Sequence, residues 1–101
     1  MTDPFADLDA LQSFFESHHG NATVGFSQSC DDCPVARYLK SLGHVSAWVR
    51  CQYYVLGGEI LVTRHLPQTV VRFVQLMDQT IHGLERVRAR TALRILAEVT
   101  Q

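Results

Sequence analysis

The chain has 101 residues, 47% hydrophobic and 19% charged, a composition that excludes a disordered polypeptide and leaves room for one hydrophobic core. The net charge of −1 gives no overall pull toward polyanions, and no apolar run approaches the ~20 residues of a membrane-spanning helix. Three cysteines, an odd number, are too few for a secreted disulfide scaffold, so a reducing cytoplasm is the expected setting.

The charges are unevenly placed. Residues 1–36 carry Asp3, Asp7, Asp9, Glu16, Asp31 and Asp32 but no Lys or Arg, so all nine basic residues follow Ala36. Such an electrically dipolar chain favours a charged partner or head-to-tail association. The start, Met1-Thr2-Asp3-Pro4, carries acid where a secretory leader carries base.

Asp3-Pro4 reads as a helix start, an N-cap acceptor followed by proline. Leu8, Leu11, Phe15 and His18 then recur at helical steps, and Gly20-Asn21 ends the helix. Residues 22–27 suggest a short strand. A second helix is expected from Cys33-Pro34, with Val35, Tyr38, Leu39 and Leu42 inward and Gly43 as its stop.

From Val45 to Leu56 the residues alternate. Val45, Ala47, Val49, Cys51, Tyr53 and Val55 form one face, and Ser46, Trp48, Arg50, Gln52, Tyr54 and Leu56 the other. Gly57-Gly58 reads as a two-residue turn leading into a second strand, Glu59 to Leu66. That register sets Tyr53 against Val62 on an inward side and Tyr54 against Leu61 and Arg50 against His65 on an outward one. Pro67 opens a third helix with Val70, Phe73, Val74, Met77 and Ile81 inward, and His82-Gly83 interrupts it. A fourth helix is expected from about Leu84 to Val99. The whole is a single α+β domain over 1–101: a small antiparallel sheet, with its hairpin at 45–66 and residues 22–27 as a third strand, packed against about four helices.

Three constellations bear on function. The outward hairpin face brings together Trp48, Arg50, Tyr54 and His65, residue types concentrated at binding hot spots, where a solvated sheet face would carry Thr, Ser, Lys and Glu. A partner would cover this cluster, but so would the protein's own helices. Cys30 and Cys33 have the spacing of a disulfide or of two metal ligands, and two more ligands, His18 and His19, would have to complete a zinc set. The simpler role of Cys33 is that of a small residue at a helix start. Arg86, Arg90 and Arg94 share a stripe on the expected last helix and would suit phosphates, yet Glu98 continues that stripe, as a solvated face does. No triad order, phosphate-cradling glycine loop or metalloprotease motif is present. The expectation is therefore a non-enzymatic interaction module acting through a protein partner or as a homodimer. A thiol- or metal-dependent protein and a nucleic-acid binder are the alternatives.

Overall fold

The structure, a computed structural model, describes residues 3–101; the leader reading, which rests partly on Met1 and Thr2, lies outside the described residues. The elements run α1 (Leu8–Glu16), β1 (Thr23–Phe26), α2 (Pro34–Ser41), β2 (Ser46–Val49), β3 (Tyr53–Gly57), β4 (Val62–His65), α3 (Gln68–Thr80), β5 (Arg86–Arg88) and α4 (Ala89–Val99). Among the described residues this is an α+β arrangement of four helices with two small antiparallel sheets, β1-β5 and β2-β3-β4.

The first helix starts later than Asp3-Pro4 suggests. Asp3 closes a separate turn, its carboxylate accepting from the Phe5 N–H at 2.9 Å. That turn buries Phe5, whose ring meets Tyr54 edge-on at 5.2 Å. The N-cap of α1 is Asp7, which accepts from the Asp9 N–H; its carboxylate satisfies a donor that the helix leaves open. Leu11 and Phe15 are fully buried, and Phe15 stacks on Phe73 of α3 at 5.8 Å. In α2 the N-cap is Cys33, whose sulfur accepts from the Ala36 N–H at 3.4 Å. Beyond α2, Gly43 takes φ +103°, a left-handed conformation that costs glycine little.

The segment expected as one long strand is two strands. Trp48 pairs with Val55 and Val49 with Tyr54, and the Arg50 N–H donates to the Tyr53 carbonyl at 2.8 Å, so the chain reverses through Cys51 and Gln52. A two-residue reversal changes the parity of the inward face. Ala47 and Val49 are buried from β2, but Tyr54 and Leu56 are buried from β3, and folding the segment in two lets both pairs bury on the same side. Gly57-Gly58 is not the tight turn. Gly57 ends β3 opposite Ser46, whose hydroxyl stands where a Cβ would go, with Trp48 Cζ3 3.2 Å from that point; Gly58 to Leu61 form a longer connection to β4. Tyr53 consequently pairs with His65 and Tyr54 with Arg64, not with Val62 and Leu61.

The strand at 22–27 joins the other sheet. Thr23 pairs with Arg88 and Phe26 with Arg86, so the region from Leu84 to Arg88, expected as helix, supplies an extended partner instead. Arg86 and Arg88 point out and Val87 is fully buried, a period of two that a helical count conceals. The pair is locked at one end by Ser27, which is completely buried. The Ser27 N–H donates to the Glu85 carbonyl at 2.8 Å, its hydroxyl donates to the Gly83 carbonyl at 2.6 Å, and its Oγ accepts from the Glu85 N–H at 3.2 Å. A Cβ on Gly25 would stand 2.6 Å from the Cys33 carbonyl carbon, so this strand presses directly on the start of α2.

Candidate functional site

The three-stranded sheet has one covered side. Ala47, Val49, Tyr54 and Leu56 face the core, and α2 packs against β2. On the other side Trp48 and Val55 are half-buried in one row across the strands, with Thr63 exposed beside them. The next row holds Arg50, Tyr53 and His65, all exposed. Trp48, Arg50 and His65 thus share the outer side, but Tyr54 does not. It is 1% exposed and buried against Phe5, and Tyr53, 39% exposed, takes the outer position. The expected cluster fails at that one residue because the reversal at Cys51 and Gln52 inverts parity.

The two edges of this sheet differ. The β2 edge is partly occupied, for the Val49 N–H donates to the Cys30 carbonyl at 2.6 Å. The β4 edge has no strand or loop hydrogen-bonded to it among the described residues. The Leu66 N–H donates to the Gln52 carbonyl, so the even-numbered residues of β4 bond to β3 and the odd ones turn their backbone groups to the open edge. These are Thr63 and His65, with Leu61 just before the strand in the same phase, and none of their side chains is buried. Ile60 and Leu61, just before β4, are 78% and 65% exposed. At the same end of the sheet Val45, which precedes the Ser46–Gly57 pair, is also exposed.

All three cysteines border one cavity of about 380 Å³ beneath the β2–β3 turn, where Met77 and Asp78 of α3 close it. The thiols are free; Cys30 and Cys51 are exposed and Cys33 is buried. Burial pushes the Cys33 thiol up to about 11, against the stabilising Ala36 N–H. It is therefore protonated near neutral pH and a poor nucleophile. Burial also raises Asp78, whose carboxylate accepts from the Gln28 N–H at 3.3 Å. Among the described residues no group of three or more His, Cys, Asp or Glu side chains is gathered closely enough to hold a metal ion. Cys30, Cys33, His18 and His19 do not come together. The His18 ring packs edge-on against Phe14 at 4.9 Å, and His19 Nδ1 accepts from the Asn21 N–H at 3.1 Å.

The expected arginine stripe is split between two elements. Arg86 lies in β5, and Arg90 in α4 donates to the Asn21 side chain. Arg94 instead shares a groove with Arg86 and Arg88, along with Thr80, Glu85 and Thr91. Helical spacing concealed Arg88, which a two-residue period from Arg86 would have revealed. Among the described residues the one side-chain ion pair is Arg37 Nε to Asp32 at 2.7 Å, which holds the Asp32 carboxyl below its usual range.

No family model matches the chain, and neither a curated protein nor a solved structure matches it, so the site stands on its own geometry.

Proposed function

We propose that the protein is a non-enzymatic interaction module that works as a homodimer, formed when the β4 edges of two copies pair antiparallel. The supporting observation is the open edge at Leu61, Thr63 and His65. Sheet edges left unpaired are normally blunted by proline, outward lysine or a bulge. Here the strand has neither proline nor lysine and its ladder with β3 is regular; its length of four residues and its inward-pointing Arg64 weaken such an edge without removing its free backbone groups.

A two-fold axis at Thr63 makes the edge self-complementary. Thr63 would face Thr63 of the second copy, and Leu61 would face its His65. These odd-numbered residues are the ones whose N–H and C=O groups point outward, so each donor meets an acceptor. The pairing would extend three strands to six and set Leu61 of each copy beside His65 on the other's outer face, next to Tyr53. Three free thiols suit a reducing compartment such as the cytoplasm.

Sedimentation equilibrium over a range of concentrations tests this reading, with a dimer expected for the native chain. Thr63→Pro removes an outward N–H without touching the β3 ladder, so it should leave a folded monomer. A native chain that is monomeric at every concentration, or a Thr63→Pro dimer of unchanged affinity, would refute the proposal.

A further inference from the structure

We infer that the groove between the end of α3, β5 and the first turns of α4 binds the phosphodiester backbone of a nucleic acid, through Arg86, Arg88 and Arg94 with Thr91 beside them. This goes beyond dimerisation and uses none of the β4 residues.

Arg86 and Arg88 project from the same side of β5 because strand side chains alternate, and Arg94 reaches the same groove from α4. Three guanidiniums are thereby held together by the β1-β5 pairing and the packing of α4. Among the described residues none of them has a carboxylate within ion-pair distance. Within the groove the counter-charge is small: Glu85 lines it, the C-terminal end of α3 adds roughly half a negative charge, and Glu98, one turn past Arg94 on α4, lies outside the lining. Against three positive charges this leaves an excess of about one and a half. Like charges gathered without neutralisation repel one another, and an anionic ligand removes that cost.

The shape narrows the ligand. The groove is shallow, has a volume of about 550 Å³, and is lined mainly by charged and hydroxyl side chains. Arg86 and Arg88, two strand positions apart, stand about 6.7 Å from each other along the backbone. The charges are therefore strung along an open channel and do not close around one ion. A chain of phosphates matches that layout, the arginine forks bonding to phosphate oxygens and the Thr91 hydroxyl able to donate another hydrogen bond. The lining has no aromatic ring to stack a base, so recognition would be independent of sequence.

Fluorescence anisotropy of a labelled mixed-sequence oligonucleotide, single-stranded and duplex, tests the proposal on the full chain. Binding at low salt should weaken about 20- to 40-fold between 50 and 200 mM salt, the loss that three phosphate contacts imply. Arg88→Gln should reduce the log–log salt slope by about 0.7 to 0.9, and Arg86→Gln with Arg88→Gln and Arg94→Gln should abolish binding. Arg72→Gln, on the exposed side of α3 and outside both surfaces, should change nothing. Thermal melting of each variant separates lost binding from lost folding; all are surface changes and should melt like the native chain. Absence of binding at low salt, or a folded triple variant that binds as the native chain does, overturns the inference. So does competition by inorganic phosphate at concentrations matched in phosphate groups, which would mark a small-anion site. Thr63→Pro should retain the salt dependence, so failure of the dimer and failure of the groove give different results.

Discussion

The two sheets solve the problem of being small in opposite ways. The β1-β5 pair has two strands, too few to persist alone in water, yet Val24, Gly25, Ser27 and Val87 are all buried. Backbone bonds continue past both its ends: Ser27 to Glu85 on one side, and on the other the Ala89 N–H to the Ala22 carbonyl and the Arg90 N–H to the Gly20 carbonyl. The β2-β3-β4 meander has more strands but less enclosure. One face is core, while the other keeps Tyr53 partly in solvent and the β4 edge unpaired. Strand number says little about which sheet is finished. Enclosure decides it, and the unenclosed sheet has surface left over for binding.

The sharpest way to break this contrast lies in adjacent residues of β3. Tyr54→Ala should cost roughly 3–5 kcal/mol, the penalty for emptying an aromatic site in a packed core, measured by denaturant unfolding. Tyr53→Ala, on the outer side, should cost the monomer less than about 1 kcal/mol. Equal losses would mean that the outer face is as structural as the inner one. A second contrast uses glycines. At Gly25 a methyl group would run into the Cys33 and Pro34 backbone, which cannot step aside, and Gly25→Ala should cost about 3 kcal/mol. At Gly58 the nearest atom to an added Cβ is the Ile60 carbonyl oxygen at 4.0 Å, and Gly58→Ala should stay within ~0.5 kcal/mol.

The smallest effect concerns the Asp32–Arg37 pair, which braces the start of α2 beside β1. The guanidinium lowers the Asp32 pKa in the folded state. Its contribution is thus present above the unfolded value near ~3.9 and is lost as pH falls through the depressed folded value. Both side chains are partly exposed, at 34% and 42%, so solvent screening keeps the contribution small. Asp32→Asn should lower the melting temperature slightly at neutral pH and match the native chain once Asp32 is protonated. An equal deficit at all pH values would show that the charge is not what matters.

Much of the architecture was readable from the sequence where the signal was local. Pro34 at a helix start, Gly43 after its end, and the spacing of Val70, Phe73, Val74 and Met77 each impose a conformation through nearby atoms. What escaped depended on distant partners or on turns without glycine. Cys51-Gln52 carries none of the usual reversal residues, and Gly57-Gly58 offers a stronger but misleading signal; Gly57 is small because the Ser46 side chain across the ladder stands where its Cβ would be. The three residues of β5 are strand only because β1 lies beside them. The candidate surfaces inherit these errors: one step of parity puts Tyr54 outward, and a helical count sets Arg88 off the stripe of Arg86, Arg90 and Arg94, where the strand puts it beside Arg86. Trp48, Arg50 and His65 lie on the outer side, as alternation predicts, because the parity of β2 holds up to the reversal and His65 pairs back across the sheet with Tyr53.

The bonds from Ser27 to Gly83 and Glu85 join points 56 and 58 residues apart. A ribosome adding about 5–20 residues per second needs roughly 3–12 seconds to cover that distance. Throughout that interval the amino-terminal strand has been made but its partner has not, so Val24 and Phe26 stay without the neighbour that will cover them. The newborn chain is then most open to chaperones or to clumping at β1, a segment whose two central residues the finished protein buries.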